Sequence, residues 1–379
     1  MTFFTSTTPD AVRPAFGLTQ HGRAGLEILG SIQKVSSGPM RDRARARFKA
    51  SDEGVRLDAE HQGDQSKGAV RDRVARATLQ AAADPVYRLE RFLQRYVAEE
   101  NFARGIPAIE ERRDQFETYG RDQPRSPVGA LELDPTVEGP KYYTATDWHL
   151  EPGGWDGYDL YGPLFSFGIG PLVFRHGGYA AVGVGADISR QRIDAVRQLP
   201  KPAYGRVYEP GCGGISTLGA VHEVFPQAEL IGCDLSELLL RNGHLLAEKR
   251  GIRVTLKQRD ARDTGEGDAS VDAVITYALH HELPPKDNRA LLAEMFRILK
   301  PGGDIVLSDP PPFRAVEPFH AAVLDWDTEH RAEPFFSAAC LEDWGVMMSE
   351  LGFTDIEAYA LGADGYPWIT RGRKPEHAE

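Results

Sequence analysis

A glycine-rich turn between two acidic residues is the part of the sequence best suited to bind a ligand. The run GRVYEPGCGGIS is typical of a strand, a tight turn and a helix start, with Gly211, Gly213 and Gly214 in the turn. Glycines let the backbone approach a ligand closely, and the free N–H groups of the following helix point at it. Glu209 precedes the turn, and Asp234 follows 25 residues after Glu209, at the end of a second strand, AELIGCD. A carboxylate at that place can accept both hydroxyls of a ribose.

Three polar residues follow the predicted fourth strand, SVDAVITYAL, namely His280, His281 and Glu282. The carboxyl ends of parallel strands form the edge at which open α/β sheets bind ligands. Either histidine could therefore take a proton from a substrate near neutral pH. The alternative is that one of them caps the following turn or packs under a loop. Because three adjacent residues do not place their side chains on one face, the sequence predicts no metal site here.

These residues need a scaffold, and the chain from Tyr204 onward supplies one. Short apolar runs alternate there with helix patterns, which is typical of a parallel sheet covered by helices on both faces. Ser236 is predicted to cap one helix that ends at Gly251, and Asp187 or Ser189 is predicted to cap an earlier one. Seven runs have strand character: GRVYEP, AELIGCD, RVTLKQ, SVDAVITYAL, GDIVLSDPP, TDIEAYAL and YPWITRGR. LKPGG is predicted to end the helix before the fifth strand.

We divide the chain into residues 1–140, 141–200 and 201–379. The first zone has no strong strand signal and is predicted to be mainly helical, with a charged, partly flexible stretch from Met40 to Gly68. Its apolar residues fit helical faces interrupted near Pro85, and they are Val74, Leu79, Val86, Leu89, Phe92 and Val97. This zone is expected to cover a substrate, to form a homodimer contact or to be an unrelated appended domain.

The second zone is dense in glycine and in aromatic residues from Tyr142 to Tyr179. Aromatic faces attract a cationic ligand, so these side chains could form a lid over the site. They could equally be core residues that join the two halves of the chain. The residues concerned are Trp148, Trp155, Tyr158, Tyr161, Phe165 and Phe167.

Bulk properties restrict the class of protein and of partner. The 379 residues contain three scattered cysteines, too few for a disulfide framework or a zinc cluster. No run is long and apolar enough to span a bilayer and the first residues do not resemble a secretion signal, so we expect a cytoplasmic protein without a membrane partner. The net charge is −12, with +3 in residues 1–125 and −15 in residues 126–379. Such a field repels polyanions, so we expect no nucleic-acid partner.

Taken in order, the motifs resemble those of the class I S-adenosylmethionine-dependent methyltransferases. The similarity rests on EPGCGG, the acidic residue 25 positions after Glu209, the pair Asp260 and Ala261 after the third strand, and LKPGG. It covers roughly residues 200–379. The resemblance implies an α/β fold with a Rossmann-like, seven-stranded, mostly parallel sheet, in which the terminal hairpin supplies one antiparallel strand. It also implies S-adenosyl-L-methionine as the cofactor. Separately from the resemblance, the N-terminal region could form a homo-oligomer.

The resemblance also implies roles for individual residues. Glu209 would engage the methionine part of the cofactor and Asp234 the ribose, while Asp260 and Ala261 would lie beside the adenine ring. The glycines Gly211, Gly213 and Gly214 would underlie the cofactor, and Leu235 and Tyr277 would complete its site. The sequence departs from the family pattern at Ile215, where many members have a glycine.

Three functions agree with these motifs. The first is methyl transfer to an oxygen, nitrogen or carbon atom of a small-molecule acceptor, with His280 or His281 as a base. The second is a nicotinamide-dependent oxidoreductase, although its glycine pattern would require a glycine at Ser216. The third is a non-catalytic subunit that binds S-adenosylmethionine.

Overall fold

The computed structural model describes residues 17–122, 128–177 and 187–376. The N-terminal part is helical, as predicted. Its helices are α1 (Gln20–Val35), α2 (Arg41–Lys49), α3 (Asp52–Glu60), α4 (Lys67–Ala83), α5 (Pro85–Glu110) and α6 (Arg113–Asp122). A π-helical turn, Ser36–Met40, joins α1 to α2.

Side-chain caps and one proline set the ends of these helices. Ser51 accepts a hydrogen bond from Gly54 N and so begins α3, within the stretch that the sequence suggested was partly flexible. Asp84 caps α5 through the N–H groups of Val86 and Tyr87, and Pro85 occupies the first turn, where its missing N–H costs nothing. The predicted interruption near Pro85 is therefore the boundary between two helices.

The apolar residues that suggested helical faces in α4 and α5 differ in burial, with Val86 partly buried. Val74 and Val97 are buried. Leu79, Leu89 and Phe92 are more than half exposed. The spacing therefore identified helices correctly but did not identify one buried face.

The segment from residue 141 to residue 177 consists of short turns of helix. These are α7 (Lys141–Ala145), α8 (Tyr161–Pro163) and α9 (Gly170–Leu172), with a π-helical stretch at Leu164–Ile169 and 3-10 turns at Trp148–Leu150, Gly154–Asp156 and Phe174–His176. Leu164, Phe165 and Ile169 pack in one apolar cluster with Leu26 of α1 and Phe102 of α5. The aromatic segment thus shares a core with the N-terminal helices. Tyr179 lies outside the described residues.

The C-terminal part contains the seven predicted strands in a doubly wound sheet. An eighth strand joins them from the first zone. The strands are β1 (Gly129–Glu132), β2 (Arg206–Pro210), β3 (Glu229–Asp234), β4 (Val254–Gln258), β5 (Val271–Tyr277), β6 (Leu299–Asp309), β7 (Thr354–Ala360) and β8 (Trp368–Arg373). The order across the sheet is β1-β4-β3-β2-β5-β6-β8-β7. All neighbouring pairs are parallel except those that β8 makes with β6 and β7, so the terminal hairpin supplies the reversal as expected.

Two details of the sheet correct the sequence prediction. The strand Gly129–Glu132 pairs with β4 although residues 1–140 show no strong strand signal. Four residues at a sheet edge are too few to give a periodic pattern, and their pairing partner is distant in sequence. In addition, β6 begins at Leu299, so LKPGG opens the fifth predicted strand instead of only ending the helix before it.

Helices cover the sheet and connect the two parts of the chain. They are α10 (Ile188–Val196), α11 (Ser216–Val224), α12 (Glu237–Arg250), α13 (Pro285–Ile298), α14 (Pro318–His330), α15 (Phe336–Cys340) and α16 (Trp344–Glu350). Asp187 and Ser236 cap α10 and α12, and Gly251 ends α12 in the left-handed conformation, all as predicted. Phe319 of α14 contacts the rings of Phe48 and Tyr87, so the N-terminal helices pack directly on the sheet domain. Across the described residues, none of the helices has the length and apolar character of a membrane span.

Candidate active site

The glycine turn lies where β2 ends and α11 begins, at the carboxyl edge of the sheet. Gly211 and Gly213 have φ angles of +61° and +48°, in the left-handed region that favours glycine. A Cβ on Gly211 would meet Leu279 Cδ1 at 2.5 Å, so a side chain there would be strained in the backbone and would displace Leu279. A Cβ on Gly213 would meet nothing closer than Leu239 Cδ1 at 3.9 Å. The backbone at Gly213 thus borders open space that a ligand can enter.

Asp234 ends β3 directly beside this turn. Its Oδ2 accepts a hydrogen bond from Gly213 N at 2.8 Å, and its Oδ1 accepts one from Ser236 N at 2.9 Å. These bonds hold the carboxylate in one orientation and leave further lone pairs toward the cavity. Burial raises the pKa of Asp234, although the two backbone donors oppose that effect. The carboxylate is therefore positioned to accept hydroxyl groups, as the sequence predicts.

Glu209 lies at the end of β2 and is 2% exposed. Its Oε2 has no hydrogen-bond partner among the described residues. Burial raises the pKa of Glu209 to about 8, against the opposing effects of Thr217 and Arg192. A buried carboxyl with an unused oxygen at a cavity wall is suited to receive a cationic or donor group from a ligand.

The remaining predicted cofactor residues lie on the same cavity. Gly214, Leu235, Ala261 and Tyr277 line it. Asp260 lines it too and forms an ion pair with Arg262 at 2.6 Å, which, together with the Arg262 N–H, outweighs burial and lowers the pKa of Asp260. The structure therefore brings together all nine residues predicted from the sequence to bind the cofactor.

Ile215 departs from the glycine pattern of the family that the sequence resembles, and its backbone has a conformation that favours glycine. Its φ angle is +63° and its side chain is fully buried. A β-branched residue in the left-handed region is strained by about 1–2 kcal/mol. Burial of the side chain in the core offsets that strain, so the turn keeps its shape without the third glycine.

The cavity has a volume of about 340 Å³ and is lined both by the glycine turn and by His281 and Glu282 of the loop after β5. The aromatic segment supplies part of its wall through Trp148, Trp155, Tyr161 and Phe165. Tyr158 instead donates a hydrogen bond to Glu110, which is outside the cavity. Phe167 likewise packs on Phe116. Four of the six aromatic residues therefore line the cavity, as a lid would, and the other two make contacts with the N-terminal helices.

The two predicted catalytic histidines have different environments. His280 is fully buried, does not line the cavity, and has both ring nitrogens engaged, with Asn288 Oδ1 at 2.7 Å and Thr276 Oγ1 at 3.0 Å. Burial lowers the pKa of His280. These contacts favour the alternative for His280, in which it holds the loop after β5, because both ring nitrogens are engaged.

His281 does line the cavity. Its Nδ1 contacts Asp309 Oδ1 at 2.5 Å, and its Nε2 lies 3.3 Å from Glu282 Oε1. Burial lowers the pKa of His281, but the two carboxylates outweigh burial and raise that pKa well above its usual value. An imidazole that holds its proton near neutral pH is a poor base, so the role of His281 depends on what else binds at this end of the cavity.

Two further residues meet His281 and Glu282, and sequence reasoning missed both. His149 Nε2 lies 3.1 Å from Glu282 Oε1 and 3.0 Å from Glu333 Oε1. We call His149, His281, Glu282 and Glu333 the His149 cluster, and all four line the cavity. His149 has a φ angle of +57°, which is uncommon for a residue other than glycine and frequent at functional sites. His149 lies in the predicted lid, but no sequence signal connects it to the loop after β5.

Comparison with known proteins identifies the part of the chain around the glycine turn. Residues 207–303 match the family model described as a methyltransferase domain. A carboxy-S-adenosyl-L-methionine synthase of Aliivibrio salmonicida is 34% identical over 110 residues, which are 28% of this chain and 45% of that protein. The ubiquinone/menaquinone biosynthesis C-methyltransferase UbiE of Syntrophotalea carbinolica is 28% identical over 151 residues, 40% of this chain and 55% of that protein.

A trans-aconitate 2-methyltransferase of Azoarcus sp. is 30% identical over 122 residues, 32% of this chain and 46% of that protein. The chain spans about half the length of the curated relatives that it matches. Residues 207–303, which match the family model, contain the glycine turn, Asp234, Asp260 and the loop with His281, but not His149 or Glu333.

Proposed function

We propose that the chain, which carries a class I S-adenosylmethionine-dependent methyltransferase domain at residues 207–303, transfers a methyl group to a small-molecule acceptor. The observation that carries the proposal is the single cavity with two different ends. One end has the glycine turn, Glu209 and Asp234, and the other has the aromatic wall and the His149 cluster. A donor site that opens directly onto an acceptor site is what a group transfer requires.

The residues at the first end fit S-adenosylmethionine. Asp234 has free lone pairs for the ribose hydroxyls, and the unpartnered Oε2 of Glu209 can receive the methionine part. Gly213 leaves open the space that a Cβ would fill, and Asp260 with Ala261 borders the place for adenine. When bound, the cofactor supplies an electrophilic methyl group on a sulfonium.

The chain's own contribution to the rate is positional. Rigid elements hold both ends of the cavity, so donor and acceptor meet in alignment, which can supply about 7–11 kcal/mol of the barrier reduction. The aromatic wall of Trp155, Tyr161 and Phe165 limits the access of water and favours a cationic centre. His281 and its neighbours contact the polar group of the acceptor at the other end.

Isothermal titration with S-adenosylmethionine, its demethylated product and NAD tests the proposal. Wild-type protein should bind the first two and not NAD. Asp234→Ala should weaken cofactor binding by more than tenfold with the fold intact, because it removes a charged acceptor of two hydroxyls, each worth about 1.5–3 kcal/mol. Asp268→Ala is the matched control, since Asp268 is exposed and pairs only with surface Arg297.

Tight binding of NAD would instead identify an oxidoreductase. Unchanged affinity in Asp234→Ala would refute the placement of the ribose. Cofactor binding without methyl release to any of a panel of small acceptors would favour a non-catalytic binding subunit.

We propose three further properties of the protein, which concern its compartment, its substrate class and its oligomeric state. The free, buried Cys212, Cys233 and Cys340 suit a reducing compartment such as the cytoplasm. The excess of carboxylates in residues 126–379 opposes a nucleic-acid substrate. Leu89 and Phe92 expose apolar surface on α5, which supports a homodimer formed through the N-terminal region.

A further inference from the structure

Four side chains from three separate segments meet at the acceptor end of the cavity. His149 comes from the turn after α7, His281 and Glu282 follow β5, and Glu333 lies between α14 and α15. One nitrogen or oxygen atom from each lies within 4.8 Å of the corresponding atom of every other. Neighbouring pairs are 3.0, 3.1 and 3.3 Å apart. Ligands at about 2.1 Å from a tetrahedral metal are about 3.4 Å from one another, so the cluster has the dimensions of a metal site.

From this geometry we propose that the His149 cluster binds one divalent transition-metal ion. The donor set is two imidazole nitrogens and two carboxylate oxygens. That combination suits Zn²⁺ and similar ions such as Co²⁺ and Fe²⁺, whereas Mg²⁺ and Ca²⁺ favour all-oxygen sets. The sequence argument against a metal considered only adjacent residues, and the two ligands that complete the set come from elsewhere in the fold.

The second ring nitrogen of each histidine faces another carboxylate. His281 Nδ1 contacts Asp309, and His149 Nδ1 lies 3.8 Å from Glu151 Oε1. A carboxylate that bonds the far side of a ligating imidazole fixes its orientation and increases its basicity, a recurrent feature of metal sites, and Asp309 does so for His281, whereas 3.8 Å is too long for a hydrogen bond between His149 and Glu151. The proposed metal site therefore includes Asp309, which supports the ligand His281 without binding the metal itself.

Burial gives an independent reason for a cation. Glu333 is 3% exposed, and its Oε2 has no hydrogen-bond partner among the described residues. Glu282 Oε2 is also buried without such a partner. Unpaired carboxylate oxygens are costly to bury unless an opposite charge compensates them. A divalent ion between these residues would supply that charge.

The position of the cluster indicates a use for the metal that rests on the proposed function. All four residues line the cavity that also contains the glycine turn, so an ion there has a route of entry. An acceptor with an oxygen donor beside the atom to be methylated could bind the ion directly and be oriented by it. The substrate class inferred is a small oxygen-bearing molecule that can coordinate a metal.

Metal binding can be measured without any turnover. Protein purified without a histidine tag and freed of metal by a chelator is titrated with Co²⁺, followed by its visible absorption, and then with Zn²⁺ as a competitor. We expect one ion per chain and a tetrahedral or five-coordinate cobalt spectrum. Glu333→Gln and His149→Gln should each weaken binding at least tenfold and alter the spectrum.

Two variants control for adventitious binding, His222→Ala at a partly exposed position and Glu223→Gln at an exposed one, both on α11 outside the cavity. Each should bind metal as the wild type does. The proposal fails if the wild type binds less than stoichiometric metal, or if Glu333→Gln and His149→Gln keep wild-type affinity. Circular dichroism identifies a variant that does not fold, in which case Glu282→Gln replaces it.

Titration with S-adenosylhomocysteine separates this inference from the proposed function. If the protein binds S-adenosylhomocysteine but takes up none of the added metal, the metal site is refuted and the proposal of methyl transfer is unaffected. Protein that binds one metal ion but no S-adenosylhomocysteine supports the metal site and refutes the cofactor assignment.

Discussion

Binding of the cofactor should become stronger as the pH rises through 8, because of Glu209. Burial raises the pKa of this carboxyl to about 8 in the ligand-free protein, where Arg192 and Asp234 are the nearby charged groups. A cationic methionine part favours the ionised carboxylate, so binding must first remove a proton. At pH 7 that requirement weakens the affinity by about tenfold, or about 1.4 kcal/mol, and between pH 6 and pH 9 the affinity should rise roughly 90-fold.

Isothermal titration in buffers with different ionisation enthalpies measures both the affinity and the proton released. We expect close to one proton per cofactor at pH 7 in the wild type and in Glu223→Gln, an exposed control. Glu209→Gln should release almost no protons on binding the cofactor. Its affinity should not change with pH, apart from the effect of titration of the ligand itself. A wild-type affinity that does not change between pH 6 and pH 9, or an equal rise in Glu209→Gln, would refute the reasoning.

The same carboxyl should influence the stability of the ligand-free protein. Since its folded pKa of about 8 exceeds the ordinary value of 4.5, the folded state binds the proton more tightly and loses stability as the pH rises between those values. Relative to Glu209→Gln, the wild type should lose about 2.5 kcal/mol of unfolding free energy between pH 6 and pH 9. Urea denaturation of both proteins at the two pH values measures the difference, and an equal loss in the two would contradict the assignment.

Three further outcomes are expected. Gly211→Ala should cost about 2–4 kcal/mol of unfolding free energy through backbone strain and a steric clash. Gly251→Ala should cost about 1 kcal/mol, because Gly251 has a similar φ angle but an added Cβ would meet no atom within 4 Å. Thermal melts of the two variants test the difference. His281→Ala should slow turnover at least tenfold with unchanged cofactor affinity, whereas His280→Ala should mainly lower the melting temperature by leaving buried partners unsatisfied. Phe92→Glu should convert a dimer to a monomer in light scattering if α5 forms the contact, and a dimer that persists would place the contact elsewhere.

The cofactor end of the site could be predicted because its signals are local. Gly211 and Gly213 need positive φ angles, Ser236 caps a helix, and Asp234 ends a strand, so each residue type reports its own backbone position. The rule that ligands bind at the carboxyl edge of a parallel sheet then predicts that these residues meet at one edge. Ile215, which breaks the glycine pattern, has a positive φ angle and a fully buried side chain, which its residue type does not report.

The acceptor end could not be predicted because tertiary packing creates it. His280 and His281 are adjacent and chemically equivalent in sequence, and only the contacts with Asn288 and Asp309 distinguish them. The edge strand Gly129–Glu132 is similarly defined by its pairing with β4 and not by its own composition. Periodicity and capping describe single elements, and they carry no information about which distant segments meet.

The limits of the family match also decide how the acceptor should be sought. The matched residues, 207–303, contain the cofactor end and two members of the His149 cluster. The other two members, His149 and Glu333, come from outside that range, as does the aromatic wall at Trp155 and Tyr161. Specificity depends on the residues that touch the acceptor, and His149 and Glu333 lie outside the matched family model, so that match does not transfer an acceptor to this chain. A screen should therefore be built from the chemistry of this cavity, beginning with small oxygen-bearing molecules that coordinate a divalent metal.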